Sequence, residues 1–133
     1  HMILDTFEVA ANWSGLMDLH RAVKAVSKDI ERGQMLVLLA HFSHFYHCGG
    51  NIYFTLCGRT PEEGKTAEFY DKTWDKLLEA CQKAGGAVSH HHGIGRLKAR
   101  AFQQQRGPLF NVLEKLKNGI DPQHLFNPKN LGL

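Results

Sequence analysis

Residues Gln34–Gly58, QMLVLLAHFSHFYHCGGNIYFTLCG, decide how this chain folds. Gln34–Tyr46 is rich in β-forming residues and apolar enough to read as a largely buried strand. His47-Cys48-Gly49-Gly50 turns the chain, and Asn51–Gly58 returns as a second strand. The stretch is therefore a β-hairpin.

Upstream, ILDTFEVAA (Ile3–Ala11) alternates loosely and predicts another strand. Asn12 or Ser14 can cap a helix to about Arg32, because Leu16, Leu19, Val23, Val26 and Ile30 recur at helical spacing and Gly33 can close it. Downstream, TPEEGKTAEFYDKTWDKLLEACQKAGG carries an apolar stripe of Phe69, Trp74, Leu77, Leu78 and Cys81 and stops at Gly85-Gly86. AVSHHH (Ala87–His92) predicts a short strand, and two helices follow over about Leu97–Gln105 and Pro108–Asn118. The order β-α-β-β-α-β defines an α+β fold. It predicts an antiparallel sheet with helices packed on one face, the split-βαβ or ferredoxin-like arrangement, plus a C-terminal helical tail. His1-Met2 reads as a cloning remnant, residues 3–96 as the sheet-bearing domain and residues 97–133 as the tail, with Asp121-Pro122 and Asn127-Pro128 as turn signals.

The bulk properties narrow the partners. A 43% apolar and 22% charged composition is that of an ordinary globular chain. The net charge of +3 comes without clustered Lys/Arg runs, so no nucleic acid is expected. No apolar run has the length of a membrane span and no secretory signal is visible. Three cysteines without CxxC spacing favour a reducing compartment, and a cytoplasmic location is expected.

Histidine is unusually frequent, with nine residues, three of them adjacent in GGAVSHHHGIGR (Gly85–Arg96). In an extended segment His90 and His92 would point to one face and His91 to the other. Three readings stand at this point. Two imidazoles could share a metal ion, but no carboxylate or thiol flanks them at ligand spacing, so no metal is expected. They could be satisfied locally at a sheet edge. Or they could line a ligand pocket, with Gly93 and Gly95 letting the backbone approach a planar or anionic ligand. Across the hairpin, His44, Tyr46 and Tyr53 could converge as acid/base groups, or the tyrosines could simply be half-buried core residues. Arg96, Lys98 and Arg100 at a helix start suit a phosphate or carboxylate, or else form a solvated face.

Two segments, LLEACQKAGGAVSHHHGIGRLK and GIDPQHLFNPKNL, resemble the C-terminal end of FAD-linked oxidases of the vanillyl-alcohol oxidase type. The His-Gly-Ile-Gly pattern is shared with D-lactate dehydrogenases and glycolate oxidase subunits. The Ser-His-His-His-Gly run and SHFYHCGGNIYFT are similar to the alkyldihydroxyacetonephosphate synthase branch and its bacterial relatives. The resemblance implies that this chain is the cap or substrate part of a larger flavoenzyme, inactive alone and with little affinity of its own for flavin. FAD would be bound mainly by an N-terminal domain of the same polypeptide. Synthases of this branch exchange an acyl group on dihydroxyacetone phosphate for a long-chain alcohol through an adduct at flavin N5. The alternatives are a cap for FAD-dependent oxidation of D-2-hydroxy acids and a free-standing ligand-binding or oligomerising α+β module. The resemblance implies Tyr53, His90, His91 and His92 as catalytic residues. It implies His92, Gly93, Gly95 and Asn127 as cofactor contacts and His44, Tyr46 and Arg96 as substrate contacts. The implied partners are the FAD-binding domain, a small-molecule or lipid substrate, a membrane surface met peripherally and a second copy in a homodimer.

Overall fold

Alternation in the first strand sets the architecture. Ile3, Phe7 and Val9 are buried while Leu4 between them is exposed, so the odd-numbered residues turn inward. A computed structural model describes residues 1–133 and divides them into two compact units, His1–His91 and His92–Leu133.

The first unit runs β1 (Met2–Asn12), α1 (Trp13–Ala25), β2 (Met35–Ser43), β3 (Gly49–Arg59) and α2 (Thr66–Lys83). Its sheet has the order β1-β3-β2, with β3 antiparallel to both neighbours. β1 and β2 thus run the same way with β3 between them, which is the split βαβ expected from the sequence. Phe7, Leu38, Ile52, Phe54 and Leu56 bury one sheet face against Leu19, Val23, Trp74 and Leu77 of the helices. The Phe7 ring stacks on Phe54 (6.4 Å) and meets the edge of Trp74 (5.4 Å). Each such side chain contributes about 1.5–3 kcal/mol through burial. The other sheet face carries no helix of this unit and presents exposed Leu4, Met35, Val37 and Leu39.

Two differences from the sequence expectation have physical causes. Helix α1, capped by the Asn12 side chain on the Gly15 N–H at 3.0 Å, ends at Ala25 rather than near Arg32. There the Ser27 hydroxyl donates to the Lys24 carbonyl, and the chain tightens into a 3₁₀ turn over Val26–Lys28. Ala87–His92 does not form the fourth strand. It makes one bridge, Ala10 to Ala87, and then leaves the sheet, because the His91 N–H donates to the Glu8 carboxylate instead of continuing a ladder along β1. At the hairpin's inner end glycine is obligatory, since a Cβ on Gly49 would lie 2.1 Å from the Ala11 carbonyl oxygen.

The second unit contains α3 (Ala99–Arg106) and α4 (Phe110–Ile120), joined by a 3₁₀ turn over Gly107–Leu109. Phe102 and Phe110 meet edge-on at 6.2 Å. The tail returns to the glycine loop, where the Leu131 N–H donates to the Gly95 carbonyl at 3.0 Å. Along α4, Val112, Leu116 and Ile120 form an exposed apolar stripe. No helix in either unit is long and apolar enough to cross a membrane.

Candidate functional site

Glu8 is the centre of the site. Phe7 and Val9 point to the helices, so Glu8 projects from the opposite sheet face, directly across from Tyr53 in the ladder. Strand alternation alone would leave it in water, yet it is fully buried. A buried carboxylate needs hydrogen bonds to offset its lost hydration. The Asn51 side-chain amide donates to Oε1 and the His91 backbone N–H donates to Oε2 at 3.1 Å. Asn51 is itself fully buried and held by the Ser43 hydroxyl, which donates to its Oδ1 at 2.9 Å. A polar chain from Ser43 through Asn51 therefore fixes the carboxylate from the hairpin side.

The histidines approach from the other side. His91 Nδ1 lies 2.9 Å and His90 Nδ1 3.3 Å from Glu8 Oε1, and the two Nδ1 atoms are 2.8 Å apart. On its far edge, His90 Nε2 is 3.0 Å from the Tyr46 hydroxyl. The expectation that adjacent histidines alternate between faces fails here, because the segment is bent rather than extended and both rings turn to Glu8. His44 sits just past the end of β2 with φ of 49°, and this left-handed turn brings its ring centroid 4.7 Å from His91 and 5.5 Å from His90. The side chain of His90 is 20% exposed and that of His91 49%, so the cluster opens to solvent above a buried carboxylate. Ligand-capable atoms of Glu8, His44, His90 and His91 all lie within 4.8 Å of one another.

The first unit thus brings together His44, Tyr46, His90 and His91, with Tyr53 on the same sheet face between its ladder partners Glu8 and His41. His92, Gly93, Gly95, Arg96 and Asn127 belong to the second unit. There Gly93 and Gly95 have φ of 75° and 58°, and a side chain added at Gly93 would meet nothing within 4 Å. Arg96 is exposed and donates to the Pro128 carbonyl at 3.3 Å, while Asn127 is exposed at φ of 47°. Lys98 is buried, so the three cations anticipated at this helix start do not form one solvated cluster. Sequence reasoning missed Glu8, Asn51 and Ser43. The available signal was an acid at an outward position of a strand otherwise rich in apolar residues.

A split-βαβ sheet with a histidine–carboxylate cluster on its helix-free face, followed by a glycine loop and a helical tail, defines the class as an α+β domain that presents one polar site. Residues 1–131 match the model of the FAD linked oxidases, C-terminal domain, and the chain belongs to that family. It is 30% identical over 136 residues to the alkyldihydroxyacetonephosphate synthase of Dictyostelium discoideum, covering 98% of this chain and 22% of that protein. Against the uncharacterized FAD-linked oxidoreductase YgcU of Escherichia coli (strain K12) it is 29% identical over 129 residues, 92% of this chain and 26% of that protein. A solved alkyldihydroxyacetonephosphate synthase superposes with a TM-score of 0.63 at 25% identity, over 96% of this chain and 21% of that one. The chain spans about a fifth to a quarter of the length of the relatives it matches. The family's members are FAD-linked oxidases, which indicates FAD as the cofactor.

Proposed function

We propose that this chain is the substrate-side cap of a flavoenzyme of the alkyldihydroxyacetonephosphate synthase type, and that its histidine–carboxylate cluster lines the flavin–substrate pocket. The observation that carries the reading is the row Tyr46 Oη, His90 Nε2, His90 Nδ1, Glu8 Oε1, with contacts of 3.0 and 3.3 Å. An imidazole that touches a phenol on one edge and a buried carboxylate on the other can pass a proton between them. Removing a proton from a carbon beside a ketone needs such a positioned base. In this reading Tyr53 and the three histidines are the acid/base and positioning groups. His44, Tyr46 and Arg96 contact substrate. Glu8 is a positioning residue that holds His90 and His91 in orientation, and Asn51 holds Glu8.

The chain's residues also fit a flavin. Gly93 combines a left-handed backbone with open space where a side chain would stand, which suits close approach of a planar ring. His92, Gly93, Gly95 and Asn127 would contact FAD, and an upstream domain of the same polypeptide would bind most of it. When bound, FAD supplies the electron-accepting chemistry while the protein supplies orientation. The exposed stripe Val112, Leu116 and Ile120 gives the second unit an apolar surface for that domain to cover.

The test follows flavin absorbance of the full-length protein without oxygen, adding an acyl dihydroxyacetone phosphate and then a panel of D-2-hydroxy acids. Bleaching by the acyl ketone phosphate with fatty-acid release, lost in Tyr53→Phe and His91→Ala, is the expected result. Reduction by hydroxy acids alone would refute it and move the protein toward oxidation of the kind named by glycolate oxidase subunit GlcD, to which 92 residues are 32% identical.

A further inference from the structure

We propose that Glu8, His44, His90 and His91 form a binding site for one divalent transition-metal ion of the zinc class. The ion would take the place of the His90–Glu8 proton contact in the flavin reading, and the site is tested separately, by metal uptake rather than by flavin reduction. Around an ion with ligands at about 2.0–2.1 Å, tetrahedral neighbours lie about 3.3 Å apart. Three atoms here approach that spacing before any ion enters: His90 Nδ1 and His91 Nδ1 at 2.8 Å, and Glu8 Oε1 at 3.3 and 2.9 Å from them. His44, exposed on the hairpin connection, brings a ring nitrogen within the same 4.8 Å envelope, and its Nδ1 lies 3.1 Å from the Ser43 hydroxyl.

Protonation chemistry points the same way. Two imidazole nitrogens 2.8 Å apart cannot both carry a proton directed at the gap, so at least one lone pair faces the other ring and the carboxylate oxygen. A shared proton satisfies one of these contacts. A dication satisfies all of them and neutralises the buried carboxylate as well.

The surrounding shell is that of a ligand set already oriented. Asn51 and the His91 amide each hold one oxygen of Glu8, and the Tyr46 hydroxyl occupies the outer nitrogen of His90. Outer hydrogen bonds of this kind fix the tautomer and direction of metal-binding imidazoles and carboxylates. Three imidazoles and one carboxylate suit zinc, cobalt or nickel over magnesium or calcium, which prefer all-oxygen sites. The exposed sides of His91 and His44 provide the entry path. With Nδ1 of His90 on the metal, its Nε2 carries the proton and donates to the Tyr46 oxygen.

Cobalt(II) and zinc(II) would be titrated into chelator-treated full-length protein. Cobalt is followed by its visible bands above the flavin absorption and zinc by calorimetry, with circular dichroism confirming the fold of each variant. Uptake of one equivalent with tetrahedral-type cobalt bands is expected. Binding should weaken about 100-fold or more in Glu8→Gln and His91→Ala, and about 10–100-fold in Asn51→Ala, which removes only an outer hydrogen bond. His47→Ala and His124→Ala should bind as the unaltered protein does. Absence of stoichiometric uptake, or uptake that survives in both folded Glu8→Gln and His91→Ala, overturns the site.

Discussion

The two units each bury a carboxylate, and they hold it by opposite means. Asp121, at the end of α4, accepts backbone N–H bonds from Leu125 at 2.9 Å and Phe126 at 3.0 Å and pairs with the Lys117 ammonium. Hydrogen bonding to Lys117, followed by the Phe126 and Leu125 amides, lowers the Asp121 pKa to about 2. Glu8 instead faces two imidazole nitrogens, His91 Nδ1 at 2.9 Å and His90 Nδ1 at 3.3 Å, and an amide held in place by Ser43. The difference separates a carboxylate that ties down a turn from one that gathers a solvent-open cluster of imidazoles. The first is surrounded by fixed donors and ties down a turn, while the second meets imidazoles whose outer sides are open to solvent.

That contrast can be broken by mutation. The largest effect is expected from Glu8→Ala, which should slow substrate-driven flavin reduction in the full-length protein about 10²–10⁴-fold. Its stability cost is about 1–3 kcal/mol, from the buried Asn51 amide left without its acceptor. Stopped-flow absorbance and urea denaturation together check both figures. Tyr46→Phe should follow, with roughly tenfold slower reduction and a stability change of about 1 kcal/mol or less, since its hydroxyl bond to His90 is solvent-accessible. Unchanged reduction in both variants would remove Glu8 and Tyr46 from the working set. The smallest effect on flavin reduction, none, is expected from Asp121→Asn. It should instead lower the thermal midpoint at neutral pH. Because the folded pKa of Asp121 lies below its ordinary 3.8, its contribution is complete above that value and is lost as pH falls through about 2. The gap between the midpoints of the native and Asp121→Asn proteins should therefore narrow as pH falls from 4 through 2, and a gap at pH 2 as wide as that at neutral pH would contradict this account.

The hairpin, the split βαβ order and both long helices were legible because one buried face forces period-two strands and an apolar helical stripe. Tyr46 and His44 were legible as candidates, since the turn HCGG fixes where the hairpin folds back. The missing fourth strand was not. Ala87 pairs as a strand residue would, and the departure after it depends on Glu8 capturing the His91 amide, a contact across 83 positions that no local propensity encodes. Glu8 offered only the weak signal of an acid at an outward strand position, and its burial rests on contacts equally remote in sequence. Alternation puts it on the helix-free face, and only the remote histidines and Asn51 make that position dry.

The strand order also dictates when the site appears during folding. β2 and β3 are neighbours in sequence and can zip locally, whereas β1 must reach across the hairpin to pair with β3. The histidines then close an 83-residue loop onto Glu8, and loop closure of that span is entropically costly and slow relative to local pairing. The cluster is therefore a late event, assembled only when the first unit is otherwise complete. A nascent chain would carry its sheet before its histidine cluster, and the imidazoles would signal that the first unit had finished folding.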